Sequence, residues 1–420
     1  MKINTSSIKS ILRKGLLQIF SANVINKFVQ FGTLAAISRI IAKSDYGAFS
    51  FAQNIISFVL LLEGAGVTTG ILQYCSMAKD KKEKIKYLHY GIKVGICVNI
   101  VLSIGVFIYS LYGSLAIEDS RKYLSLLAMV PLFTVVYNSI QSYLRSCLRN
   151  NEYSILTTFN TIVYLVFGVS LSYKFGVCGL ILGMYLAYLS TVLLAIWFIR
   201  KDLFIKSVQI GSGKEKFKFL KYSIITVLTN AMSQILYLLD TQLIGIFVKD
   251  EAVLASYKIA TTIPFNIVFI PLSIMTFVYP YFAQRREDKK WIKYRTKQLI
   301  FGLLGVNAII TICSIMLSKF IIPLLFGEQY MDALPCFNIL MLGYLISGSF
   351  RIPFGNILAS LGLLKANLIN AVLSGAVNIV LDIVFIMKYG SIGAAYTTLI
   401  VFVVSSIIHG IFIVRALREE

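Results

Sequence analysis

The sequence predicts an all-α, polytopic membrane protein with about twelve transmembrane helices in two six-helix lobes. Three observations carry this. Of its 420 residues, 57% are hydrophobic and only 14% charged, with a mean hydropathy of +0.79, more apolar surface than a water-soluble fold needs. The apolar residues gather into blocks close to the roughly 20 residues that a bilayer core takes. The connections between blocks alternate between Lys/Arg-rich and nearly neutral.

The blocks, in order, are Gly15–Ile37, Tyr46–Gln73, Leu88–Tyr112, Tyr123–Tyr143, Tyr153–Ser172, Gly176–Ile199, Phe219–Val248, Ala252–Phe282, Leu299–Phe320, Leu334–Leu358, Ala366–Met387 and Ser391–Val414. The first is too long for a cleavable leader, holds Lys27 near its centre and has no clear small-residue cleavage site. Lys/Arg clusters lie before the first block and in the second-to-third connection (Lys79 to Lys86). They recur in the fourth-to-fifth (Arg145, Arg149), the sixth-to-seventh (Arg200 to Lys221) and the eighth-to-ninth (Arg285 to Lys297). Of the 40 Lys and Arg, 28 fall on this side and 8 on the other. Lys/Arg-rich loops stay cytoplasmic, so both termini are expected there.

The net charge of +21 follows from this topology and suits anionic lipid headgroups. No aromatic–basic interleaving accompanies it, so no nucleic-acid partner is expected. The six cysteines lie far apart without metal-ligand spacing, so no metal is expected. No catalytic constellation and no phosphate-binding Gly-x-x-x-x-Gly-Lys loop is present, and the external loops, at most about a dozen residues, are too short for a catalytic domain. The chain is not expected to be an enzyme.

The halves repeat. Lys174-Phe-Gly-Val-Cys-Gly opens the sixth block and Lys388-Tyr-Gly-Ser-Ile-Gly opens the twelfth, about half the chain apart. A second match pairs the stretch from Ala48 with that from Ser256. Lobes of six spans each share one orientation. The expected division is 1–210 and 211–420, with the polar stretch Arg200–Lys221 as linker.

Polarity inside the blocks marks candidate sites, because a charge at the bilayer centre costs about 2.5–3.5 kcal/mol on insertion scales and turns toward a bundle interior or wet cavity. Asn23, Lys27 and Gln30 share one face of the first helix, and Asn230, Gln234 and Tyr237 repeat that spacing in the seventh. With Lys258 and Arg351, these are the expected substrate-path residues. Amides in spans also serve as interhelical hydrogen bonds. Glu63 and Asp240 are candidates for coupling to H⁺ or Na⁺, or for ion pairing with Lys27 and Lys258 respectively. The ion pair is the simpler reading for Asp240. Asp382 is expected to reach the membrane interface. Pro264 and Pro271, stacked in the eighth block, mark a bend or hinge.

Several stretches carry a family resemblance: Arg39-Ile-Ile-Ala-Lys-Ser-Asp-Tyr-Gly-Ala-Phe, Leu144-Arg-Ser-Cys-Leu-Arg-Asn, Leu239-Asp-Thr-Gln-Leu-Ile-Gly, Tyr279-Pro, Pro323-Leu-Leu-Phe-Gly-Glu-Gln-Tyr-Met-Asp-Ala and Lys388-Tyr-Gly-Ser-Ile-Gly-Ala-Ala. In order and spacing the chain resembles the polysaccharide biosynthesis (O-antigen type) flippases of the multidrug/oligosaccharidyl-lipid/polysaccharide exporter superfamily. The resemblance implies two six-helix lobes around a central cavity and an undecaprenyl-diphosphate-linked oligosaccharide substrate moved by alternating access. No cofactor is implied beyond a coupling ion. A polysaccharide polymerase and a chain-length regulator are the expected partners besides membrane lipids. A multidrug antiporter of the same superfamily would want fewer cations than Lys27 and Arg351 supply. A lipid II flippase is an alternative. A membrane polymerase would need a large external loop that the chain lacks.

Overall fold

The computed structural model describes residues 17–203 and 213–417. Every element among them is helical. A backbone in hydrocarbon must satisfy its N–H and C=O groups within its own segment, and a helix does so.

The first span is α1 (Leu17–Ile40). The second is α2 (Lys43–Leu60) and α3 (Val67–Met77), joined by a 3₁₀ turn at Glu63–Gly66. The third is α4 (Lys81–Tyr112). The fourth is a pair bent by 43°, α5 (Ser120–Leu127) and α6 (Val130–Ser146). One long run, α7 (Asn150–Leu203), holds the fifth and sixth spans, turning at Gly176. The seventh is α8 (Gly213–Phe247). The eighth is α9 (Glu251–Asn266) with α10 (Phe269–Gln284), and the ninth is α11 (Lys289–Met316). After the short α12 (Ser318–Phe326), α13 (Leu334–Ile346) and α14 (Ile352–Ser360) form the tenth span around a π turn at Ser347–Arg351. The eleventh and twelfth are α15 (Leu364–Tyr389) and α16 (Ser391–Ala416). The twelve expected spans are all helical, and their irregularities lie at positions hydropathy does not mark.

Helix starts follow side-chain chemistry. Asp80 accepts from the Glu83 amide at 2.7 Å to begin α4, and Asp288 accepts from that of Trp291 at 3.0 Å to begin α11. Each caps an otherwise unpaired donor of the first turn. In the eighth span the amide of Ile270 takes the Ile267 carbonyl. Pro264 lies in the last turn before the break and Pro271 in the first turn after it.

The chain divides into two compact units, Met1–Ile235 and Leu236–Glu420, with the division inside α8. In the first, α1 packs along α7, and α3, α4 and α6 enclose a core of Val67, Ile71, Leu88, Val135, Tyr143 and Phe219. The start of α8 is clasped to α4, where Glu215 accepts from the Lys86 ammonium at 2.9 Å and the Tyr87 hydroxyl at 2.7 Å. In the second unit α16 packs on α13 and α15, and Met275, Phe282, Ile292, Ile357 and Ile413 form a core.

The repeated Lys-aromatic-Gly-x-x-Gly motif makes the same backbone turn twice. Gly176 has φ 57° and ψ −135°, and Gly390 has φ 59° and ψ −138°, a region that L side chains avoid. Three residues on, a Cβ at Gly179 would stand 2.0 Å from the Leu171 carbonyl oxygen, and one at Gly393 would stand 2.1 Å from that of Phe385. The first glycine reverses the chain and the second lets the returning helix touch the departing one.

Gly176→Ala and Gly390→Ala are each expected to lower stability by at least about 1–2 kcal/mol. Gly105→Ala, in mid-α4 where a Cβ meets nothing within 4 Å, should be neutral or stabilising. Thermal midpoints of the purified protein in detergent compare the three.

Candidate functional site

Two polar constellations lie within the membrane helices, one in each unit. The first surrounds the break in the second span. Gly64, Ala65 and Gly66 all have positive φ (54°, 51° and 78°), and at Ala65 this left-handed backbone costs about 1–2 kcal/mol. Asn99 of α4, fully buried, holds the break open. Its side-chain oxygen accepts from the Gly64 amide at 2.7 Å, and its amide donates to the Pro131 carbonyl.

This turn presents Glu63. Its Oε2 accepts from Asn138 of α6 at 2.8 Å, while Oε1 is buried with no hydrogen-bond partner among the described residues. A cavity of about 320 Å³ opens here, lined by Ser57, Glu63, Thr68, Thr69, Asn230 and Gln234 among others. Its hydroxyls, amides and single carboxylate suit a polyhydroxyl ligand.

The second constellation is a pair of acids. Asp240 of α8 is 6% exposed and accepts from the Tyr257 hydroxyl at 2.7 Å and from Thr398 at 3.0 Å. Asp382 of α15 faces Asp240, with Thr397 and Asn378 beside it. It is fully buried, and among the described residues neither carboxylate oxygen receives a hydrogen bond. The Asn378 Oδ1 is likewise buried without a partner among them. Among the described residues no Lys or Arg pairs with either acid. Two carboxylates so placed make an acceptor-rich cluster that, among the described residues, is short of positive charge, and a proton or a small cation would balance it.

The structure corrects three expectations. Asp382 does not reach the membrane interface, because α15 turns it inward against α8 and α16. Asp240 is held by Tyr257 and Thr398 rather than by Lys258, which sits half-buried on the next position of α9. Nor, among the described residues, does Glu63 pair with Lys27: Asn138 holds Oε2, and Oε1 has no hydrogen-bond partner.

The other expected residues are placed as follows. Lys27 and Gln30 are exposed on α1. Asn230 and Gln234 join Glu63 at the cavity. Arg351 ends the π turn with its guanidinium 4.9 Å from the Phe402 ring centre, a cation–π contact. The side chains of Asn23 and Tyr237 lie outside the described residues.

The sequence reading missed Tyr257, Thr398 and Asn378, as well as the buried asparagines. Asn307, fully buried on the ninth span, accepts from Tyr344 at 2.7 Å and donates to Ser349 at 3.1 Å. It stands in the third span of its half, as Asn99 does in the other, each just after a valine. That equivalence was the available signal.

Comparison with known proteins places these features in a family. The family model described as "Polysaccharide biosynthesis protein" matches residues 12–286. A probable low-salt glycan biosynthesis flippase of Haloferax volcanii is 22% identical over 410 residues, covering 95% of this chain and 82% of that protein. An uncharacterized membrane protein in the cps region of Klebsiella pneumoniae is 22% identical over 405 residues, covering 91% and 78%. Among solved structures, the inward closed conformation of the lipid II flippase MurJ superposes with a TM-score of 0.76 at 18% identity, covering 96% of this chain and 89% of that one. An inward-facing multidrug resistance MATE transporter of the MOP superfamily gives 0.75 at 13%, covering 93% and 95%. With the fold of these transporters and a family match over more than half its length, the chain belongs to the polysaccharide biosynthesis protein family.

Proposed function

We propose that this protein is a flippase that moves an undecaprenyl-diphosphate-linked oligosaccharide repeat unit from the cytoplasmic to the outer leaflet of a bacterial inner membrane. The step would serve O-antigen, capsule or exopolysaccharide synthesis. The observation that carries the substrate class is the cavity at the broken second span, where Ser57, Thr68, Thr69, Asn230 and Gln234 offer sugar-matching donors and acceptors within membrane helices. Family membership and the Haloferax relative support the same reading.

Lys27 and Arg351 supply positive charge on membrane helices, where a desolvated diphosphate would be stabilised. These cations favour an anionic substrate over the cationic drugs of an antiporter. Movement would follow alternating access of two six-helix lobes, with the bend between Pro264 and Pro271 as a place where a span can flex. Asp240 and Asp382 supply the coupling site: a pocket that needs one positive charge can take H⁺ or Na⁺ from a gradient. A downstream polymerase and chain-length regulator would consume the delivered unit. The Lys/Arg asymmetry supports cytoplasmic termini.

The direct test is a strain lacking the protein, in which lipid-linked repeat units should accumulate unpolymerised and surface glycan should vanish until the chain is restored. Restoration without any change in glycan export would overturn the reading. Within it, Lys27→Ala and Arg351→Ala should each reduce surface glycan at least tenfold at normal protein level. Normal output from both would remove these cations from the path.

Asp240→Asn and Asp382→Asn should each lower gradient-driven transport at least tenfold in proteoliposomes, with Lys258→Ala much milder because Lys258 does not neutralise Asp240. Transport that keeps full ion dependence in both acid variants would exclude coupling at this pair.

Orientation is checked by single cysteines in a background free of the six native ones. Glu118→Cys and Lys249→Cys should react with impermeant thiol reagent in intact cells, and Lys214→Cys should not. Labelling at position 214 from outside would reverse the topology.

A further inference from the structure

The three basic connections of the first unit, scattered in sequence, converge on one pocket. It lies where α4 begins, where α6 passes into α7 and where α7 ends. Its volume is about 530 Å³, and its lining includes Lys79, Lys81, Lys84, Arg149, Lys201 and Asp202. Neither the Glu63 cavity nor the acid pair shares a residue with it.

Asp202 organises the site. It is 4% exposed, yet it receives three donors: Lys81 at 2.5 Å, Arg149 at 3.1 Å and the Tyr143 hydroxyl at 3.0 Å. Arg149 is further fixed by the Phe198 carbonyl at 3.0 Å and by Glu152 at 3.1 Å. A buried carboxylate with two cations and a hydroxyl is internally satisfied. The other acid in the lining, Asp80, is engaged as the cap of α4.

This leaves Lys79, Lys84 and Lys201 facing the same space with no acid paired to them among the described residues. The Lys84 ammonium rests on the Ser146 carbonyl at 3.3 Å, which places it without neutralising it. Three ammonium groups held together repel one another, and an anion between them removes that cost.

The pocket sits at the ends of membrane-crossing helices, at the level where lipid headgroups lie, on the face that the Lys/Arg asymmetry assigns to the cytoplasm. It is larger than a bare phosphate needs and falls in the size range of small-ligand sites. Phe198, Cys147 and Tyr143 give it an apolar wall. We propose that it binds a phosphate group bearing an organic substituent, the headgroup of an anionic lipid in the adjoining leaflet. Compact ammonium groups are suited to phosphate oxygens, and basic pockets between membrane helices collect such headgroups.

The test uses the purified full-length protein in detergent, so that it does not depend on orientation or on the transported substrate. Native mass spectrometry measures retention of phosphatidylglycerol against zwitterionic phosphatidylcholine, and thermal shift measures binding of inorganic pyrophosphate. Lys79→Gln/Lys84→Gln/Lys201→Gln is compared with Lys289→Gln/Lys290→Gln/Lys293→Gln, which removes equal charge from another basic connection. At about 1 kcal/mol per surface cation, the pocket triple should weaken phosphatidylglycerol binding about a hundredfold while the control triple leaves it unchanged.

Should the triple fail to fold, Lys201→Gln alone is expected to weaken binding about fivefold. Pocket-dependent retention of phosphatidylglycerol without pyrophosphate binding assigns the site to a lipid. Pocket-dependent pyrophosphate binding alone assigns it to a soluble phosphate. Equal losses in both triples, or none in the pocket triple, overturn the proposal.

Discussion

A carboxylate in a membrane bundle must find a partner inside the protein, because the bilayer core offers none. Asp240 finds two, the hydroxyls of Tyr257 and Thr398. Asp382, buried against it, finds none among the described residues. Two such groups close together cannot both stay ionised without a compensating positive charge, and an uncompensated charge at this depth costs several kcal/mol. Among the described residues no such charge meets the pair. We propose that a proton or a small cation completes the pair, held by the acids that α8 and α15 contribute.

The first unit meets the same constraint differently. Glu63 sits where the second span breaks, at a turn that includes a left-handed alanine. Asn99 offsets that strain by pairing with the freed backbone amide of Gly64 and the carbonyl of Pro131. The result is a polar cavity where regular helices would have made an apolar seam. In the other unit Asn307 bridges to Tyr344 and Ser349, beside another irregular turn, the π segment that ends at Arg351. Irregular backbone at membrane depth occurs where it lines a cavity or is buried in protein, and both breaks follow that rule.

The fold was legible because its two strongest determinants are one-dimensional. Apolar length sets the spans and Lys/Arg placement sets the expected sidedness, and neither needs knowledge of which helices touch. The duplicated glycine motif was equally readable, and Gly176 and Gly390 share backbone angles within a few degrees. What was not legible depends on helix rotation and neighbours. Asp382 lies two turns from the end of α15, a distance at which a side chain could reach the interface; only the packing on α16 turns it inward. Asp240 and Lys258 sit at plausible pairing distance in sequence, but the neighbouring residue Tyr257 holds the inward face of α9. Asp202 reads as one acid in a basic linker until α4 and α7 bring Lys81 and Arg149 to it.

We propose that the Asp240–Asp382 pair takes up a positive charge, and binding linkage tests this without any transport assay. The thermal midpoint of the purified protein is followed while Na⁺ replaces choline at constant ionic strength, and separately as pH is varied. A ligand that binds only the folded state raises the midpoint in proportion to the logarithm of its concentration once the site is saturated. The wild type should respond to Na⁺ or to protons, and Asp240→Asn/Asp382→Asn should lose that response. A wild type that responds to neither, or only as much as the double variant does, would contradict the account.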